Sequence, residues 1–246
     1  MWEPYPPGRV PPEATAGCVV LATLMLLLCL IPLYFLHFIE VALSHLHLSP
    51  PAASAVMLGI LLGGLVNIPV YRVPREEEVS YVWDPFGLAP VLLRRVPVRR
   101  ETIIAVNLGG CVIPVLLAVW ELKFIAAAGS WPVISLLVAL GVSVGTSYHL
   151  ARPVPGIGIM MPAWAAPVAA IGSTCVLLAG AEYATIRAPV AFVAGVSGPL
   201  IGADLMHLPR VLRMPTGMLS IGGAGTFDGI VLSGLLAALV CGWLAS

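Results

Sequence analysis

Residues 18–39 read CVVLATLMLLLCLIPLYFLHFI, an apolar run with no Asp, Glu, Lys or Arg. A bilayer core is crossed by about 20 helical residues, so this stretch alone decides the fold class. It exceeds the apolar region of a secretory signal, and no clear small-residue cleavage site follows before a polar mature start. It therefore predicts a retained first membrane helix over 17–39. Working outward, similar apolar stretches predict helices over 52–70, 103–121, 131–148, 158–180, 188–206 and 227–245. The expected fold is all-α, a polytopic membrane protein with about seven transmembrane helices.

The composition agrees. Of the 246 residues, 59% are hydrophobic and 10% charged, against roughly 25% charged in a soluble domain. Mean hydropathy is +1.01. These values exclude a soluble enzyme and a disordered chain. The 12 basic and 12 acidic residues balance, so no basic field exists to hold a phosphate backbone. The expected partner is the lipid bilayer, with no nucleic acid. Cys18, Cys29, Cys111, Cys175 and Cys241 all lie in apolar stretches without CxxC spacing. They read as core or lipid-phase residues, with no zinc site and no disulfide framework. No metal and no cofactor is expected. The 25 Gly and 23 Pro predict kinked or broken helices around an internal site.

Positive charge predicts the direction of insertion. Arg9, Arg72, Arg75, Arg94, Arg95, Arg99, Arg100, Arg152, Arg210 and Arg213 fall on one side of the seven predicted spans, and only Lys123 and Arg187 on the other. The N-terminus is expected inside and the C-terminus outside. The domain division follows. Residues 1–16 form a cytoplasmic tail, 17–246 a helical membrane domain, and 71–102 an Arg-rich cytoplasmic loop between the second and third helices. Within that loop, residues 79–83 and 96–98 have strand-like composition and Asp84-Pro85-Phe86-Gly87 reads as a turn. A small β-hairpin is expected there.

Ionisable residues inside a membrane segment are costly and mark functional sites. Asp204 lies near the inner end of the sixth predicted helix and Asp228 at the inner start of the seventh. The two spans are antiparallel neighbours, so the carboxylates are expected at similar depth. Gly195, Gly198 and Gly202 form a stripe that lets one neighbour approach closely. The run Gly222-Gly223-Ala224-Gly225 permits close approach of backbone to a ligand and lacks the Gly-Lys-Ser/Thr of a phosphate loop. Asn67 ends the second helix and Asn107 opens the third, on the same side. The expected site is an inward-opening cavity with Asp204 and Asp228 as the reactive pair. Gly222, Gly223, Gly225, Asn67 and Asn107 are its expected binding residues. The alternatives for the aspartates are helix capping at Asp228, with Thr226 as N-cap, and pairing of Asp204 with Arg210 or Arg213.

The segments Gly202-Ala203-Asp204-Leu205, Pro153-Val154-Pro155-Gly156-Ile157-Gly158 and Ser220 to Ile230 resemble an uncharacterised prokaryotic multi-spanning membrane family, a domain of unknown function. That resemblance runs from about Ile31 onward and implies a prokaryotic cytoplasmic membrane location, with no activity attached. A looser resemblance is to the intramembrane aspartyl proteases of the presenilin and signal-peptide-peptidase group. These carry one Asp on each of two neighbouring helices, the second after Gly-x-Gly. Here Gly223-Ala224-Gly225 precedes Asp228, with Thr226-Phe227 intervening, and the Pro-Ala-Leu motif is absent, Pro162-Ala163-Trp164 being its nearest counterpart. The resemblance implies an aspartyl dyad that cleaves a membrane-protein substrate. An ion-coupled secondary transporter, with Asp204, Asp228, Asn67 and Asn107 holding a small solute or ion, is the second expectation. A non-catalytic scaffold working through the Arg-rich loop is the third.

Overall fold

A computed structural model of the chain describes residues 12–74, 78–80, 96–98, 101–154, 158–213 and 218–245. In chain order, α1 (Pro12–Ser44) and α2 (Pro50–Gly63) lead into β1 (Asn67–Pro74). Two short strands, β2 (Glu78–Ser80) and β3 (Val96–Val98), precede β4 (Glu101–Asn107). A π-helical turn, Leu108–Val112, opens α3 (Ile113–Ala127), which is followed by α4 (Ser130–Leu150). The pair β5 (Arg152–Val154) and β6 (Gly158–Met160) leads to α5 (Ala165–Leu177). Then come α6 (Ala184–Ser197), a second π-helical stretch (Gly198–Leu205), α7 (Met206–Val211), β7 (Met218–Ile221) and α8 (Gly229–Trp243).

Among the described residues, four helical runs are long and apolar enough to cross a bilayer: Gly17–Ser44, Leu108–Ala127, Ser130–Leu150 and Ala181–Val211. Pro50–Gly63, Ala165–Leu177 and Gly229–Trp243 are apolar but shorter. At 1.5 Å per residue they span roughly 20 Å, less than the roughly 30 Å core. Large apolar side chains cover the outside, among them Leu28, Ile31, Leu62, Leu116, Leu137 and Val176. Such a surface fits lipid, not water.

The predicted helix boundaries fail where strands form. The second helix stops at Gly63 rather than 70, and the third starts at Leu108 rather than 103. Pro69 disfavours helix at Ile68, and Val70, Tyr71, Ile103, Ile104 and Val106 favour extended backbone. Segments 67–74 and 101–107 therefore pair as antiparallel strands, from Asn67↔Asn107 to Pro74↔Glu101, with an irregularity between Pro69 and Tyr71. β7 joins the other side of β4 in parallel, from Ile103↔Met218 to Val106↔Ile221. The sheet order is β1-β4-β7. The fifth helix also starts late, at Ala165, because β6 and Pro162 come first.

β2 and β3 pair antiparallel, Glu78↔Val98 to Ser80↔Val96, within the loop where a hairpin was expected. The expected turn at Asp84–Gly87 and the arginines at 75, 94, 95, 99 and 100 lie outside the described residues. Of the expected N-terminal tail, residues 1–11 lie outside them too, and α1 begins at Pro12.

α6 is the central helix, packed against α3, α4, α5 and α8. All residues from Ile186 to Val196 are buried. Small residues let the helices meet closely, as membrane packing requires. The glycine stripe serves two neighbours, not one. A Cβ at Gly195 would strike the Ser233–Gly234 backbone of α8, whereas one at Gly198 or Gly202 would strike Ser143 or the Val144–Tyr148 segment of α4. The reason is the switch from α to π winding at Gly198. Pro199 there has no N–H for the α ladder, and the wider turn rotates every later side chain.

Candidate functional site

Asp204 lies within the π-helical stretch Gly198–Leu205. Asp228 is the N-cap of α8, with extended backbone at φ −69° and ψ 148°. Its Oδ1 accepts the Ile230 N–H at 2.9 Å and its Oδ2 the Ala224 N–H at 3.3 Å. This corrects the expectation of a Thr226 cap. The Thr226 hydroxyl instead donates to the Ile60 carbonyl at 3.4 Å.

Both aspartates are partly buried and line the same cavity of about 480 Å³, with Phe38, Ile159, Pro199 and Phe227 among its walls. A second cavity of about 330 Å³ adjoins them and is lined by Ile159, Leu219, Ser220 and Gly223 along with both carboxylates. The Asp204 carboxylate lies within electrostatic reach of Asp228 and faces the Gly222 backbone N–H. Among the described residues, neither aspartate forms an ion pair with Arg210 or Arg213.

β7 borders the second cavity through Met218, Leu219, Ser220 and Ile221. One side of β7 pairs with β4, and it ends the sheet order. Its other edge is thus open among the described residues, next to the aspartates. The hairpin of β5 and β6 contributes Gly158 and Ile159 to the facing wall.

The five expected binding residues divide. Gly223 lines the second cavity. Gly222 and Gly225 do not share its role. They have φ of +71° and +61°, and a Cβ on either would collide with the Gly110–Cys111 or Gly64 backbone. Their glycine requirement comes from turn geometry and from packing against the start of α3 and the end of α2. Asn67 and Asn107 line neither cavity. Asn107 Nδ2 donates to the Gly64 carbonyl at 2.9 Å and to Asn67 Oδ1 at 3.1 Å, and its Oδ1 accepts the Gly110 N–H at 2.6 Å. Ser220 Oγ donates to Asn67 Oδ1 at 2.5 Å. The asparagines therefore tie β1, β4 and β7 to the helix ends behind the site.

Phe38, Phe227 and the β7 edge escaped the sequence reading. Phe227 stacks on Phe35 with centroids 4.9 Å apart, which joins α1 to the turn that carries Asp228. Aromatic residues in an apolar run carry no periodic signal that marks a cavity wall. Among the described residues, no group of three or more His, Cys, Asp or Glu side chains could hold a metal ion.

Residues 61–240 match the family described as protein of unknown function (DUF1614). No curated protein matches the chain, and no solved structure does.

Proposed function

The chain belongs to this DUF1614 family, and we propose that it is an intramembrane aspartyl protease. In this reading the seven apolar helices all enter the membrane, the three short ones in a locally thinned region, with the N-terminus inside and the C-terminus outside. The single observation that carries the reading is the shared cavity. Asp204 and Asp228 come from separate elements and line one space, beside the open edge of a strand.

The chemistry follows from the two environments. The Asp228 carboxylate is held by two backbone N–H groups at a helix N-terminus, which favours the anion. It serves as general base and takes a proton from water as the water attacks the scissile carbonyl. Asp204 carries the proton of the pair and donates a hydrogen bond to that carbonyl oxygen. The proton then passes to the departing amine. The substrate class is a membrane-protein segment unwound into extended form. Its backbone pairs with the free edge of β7, as strand addition allows, and its side chains enter the largely apolar cavity between Phe38 and Phe227.

A single-span model peptide with a fluorophore–quencher pair, co-reconstituted in proteoliposomes, tests this. Wild type cleaves it, and Asp204→Asn and Asp228→Asn each abolish cleavage while expression and folding survive. Wild-type turnover by either variant ends the proposal.

One observation favours a second reading. Asp204 lies in a π-helical interruption of a long membrane helix, and interrupted helices often hold coupling ions in transporters. Aspartate-dependent counterflow of a cation in the same proteoliposomes, without peptide cleavage, would favour transport.

A further inference from the structure

Cys175 and Cys241 lie on α5 and α8, 66 residues apart, with their Sγ atoms 3.5 Å apart. Both are free thiols. Their neighbours are small, including Ala170, Ala191, Ala194 and Ala237, which is why the two helices approach so closely here. Arg187 braces the same end of the bundle. Its guanidinium donates to the carbonyls of Leu178, Ala179 and Gly180 after α5 and of Leu244 after α8.

We propose that Cys175 and Cys241 form a modification site, closing into a reversible disulfide that locks α5 to α8. A disulfide needs sulfurs about 2 Å apart, so closure draws the thiols together by about 1.5 Å while Arg187 keeps the helix ends in place. In the orientation proposed above, this end of the bundle faces out of the cytoplasm, where disulfides persist. The co-reactant is a small lipid-permeable disulfide. One cysteine thiolate attacks it, forming a mixed disulfide and releasing one thiol. The second cysteine then attacks the mixed disulfide and releases the other thiol, with the two cysteine protons leaving on these products. The opposite ends of α5 and α8 line the main cavity through Ala166, Pro167, Gly229 and Leu232, so the cross-link joins two of its walls.

The test uses the full chain in lipid nanodiscs with Cys18→Ser, Cys29→Ser and Cys111→Ala, treated with 2,2′-dithiodipyridine. The expected result is loss of two hydrogens in the intact mass, a linked Cys175–Cys241 peptide after digestion, and an upward shift in Tm that a reductant reverses. Persistent capping of both thiols by separate pyridyl groups would overturn the proposal, as would recovery of both as free thiols. An unchanged Tm in the cross-linked protein would overturn the locking. Cys175→Ala should stop at one pyridyl adduct. If the substituted background fails to fold, peptide mapping of the oxidised wild-type chain reads the same linkage. None of these readouts depends on peptide cleavage, so the protease proposal stands or falls separately.

Discussion

The Asp228 carboxylate and the Ile230 backbone N–H meet at 2.9 Å, which makes the candidate general base the N-cap of its own helix. One side chain thus orders the first turn of α8 and faces the cavity shared with Asp204. The two roles separate by substitution, because capping needs an oxygen acceptor while base catalysis needs a titrating carboxylate.

Asp228→Asn should keep the cap and change stability little, whereas Asp228→Ala should cost about 1 kcal/mol. Cleavage of the model peptide should vanish in both. Thermal unfolding in detergent reads the first difference and the fluorogenic assay the second. An active Asn variant would leave Asp228 with capping alone.

Arg187 is 7% exposed and donates to four carbonyls at the ends of α5 and α8. The partial negative charge of the helix C-termini stabilises the buried cation. Arg187→Met should leave those carbonyls unsatisfied and cost about 2–3 kcal/mol. Arg187→Lys, with one ammonium in place of the fork, should recover only part of that. The check is Tm of the purified variants in one detergent.

Gly110 and Gly222 touch backbone to backbone, and a Cβ on either has no room. Gly110→Ala and Gly222→Ala should both abolish a monodisperse peak in size-exclusion chromatography. Gly222→Ala carries the added strain of φ +71°. Gly172→Ala is the control, because nothing lies within 4 Å of its Cβ position, and it should behave as wild type.

Asn107→Ala should remove three hydrogen bonds and cost about 2 kcal/mol. Peptide cleavage should fall only with the folded fraction, because Asn107 lies behind the cavity. Complete inactivity in a fully folded Asn107→Ala protein would return this residue to the reactive site.

The Glu121 carboxylate is fully buried and accepts the His47 backbone N–H at 3.0 Å while lying 2.8 Å from its Nδ1. Glu121→Ala should orphan both donors and loosen the loop between α1 and α2. Faster hydrogen exchange at residues 45–49, with unchanged exchange in α6, would confirm the effect as local.

His47 and Glu121 show where linear reading stops. His47 follows the first predicted span and Glu121 ends the third, and no motif surrounds either. They are 74 residues apart, and no local pattern links them. Cys175 and Cys241 present the same case, since their spacing in the chain predicts no pairing. Asn67 and Asn107 were legible as polar residues at helix ends on one side, but not as each other's partners. That required β1 and β4 to pair in register, in segments whose apolar content read as helix.

Composition and apolar run length by themselves marked the chain as one suited to lipid, because so many apolar groups and so few charges leave lipid as the favourable surroundings. Within the predicted spans only Glu121, Asp204 and Asp228 are acidic, which narrowed the candidates to a few residues without any structure. Only the tertiary structure decided that strands interrupt the helical runs and that one cavity receives both aspartates. It also decided that Gly222 and Gly225 serve packing. These outcomes depend on strand register and on the α-to-π change at Gly198, which rotates side chains relative to an ideal helix. Such rotations arise from contacts between distant segments, so periodicity within one segment does not encode them.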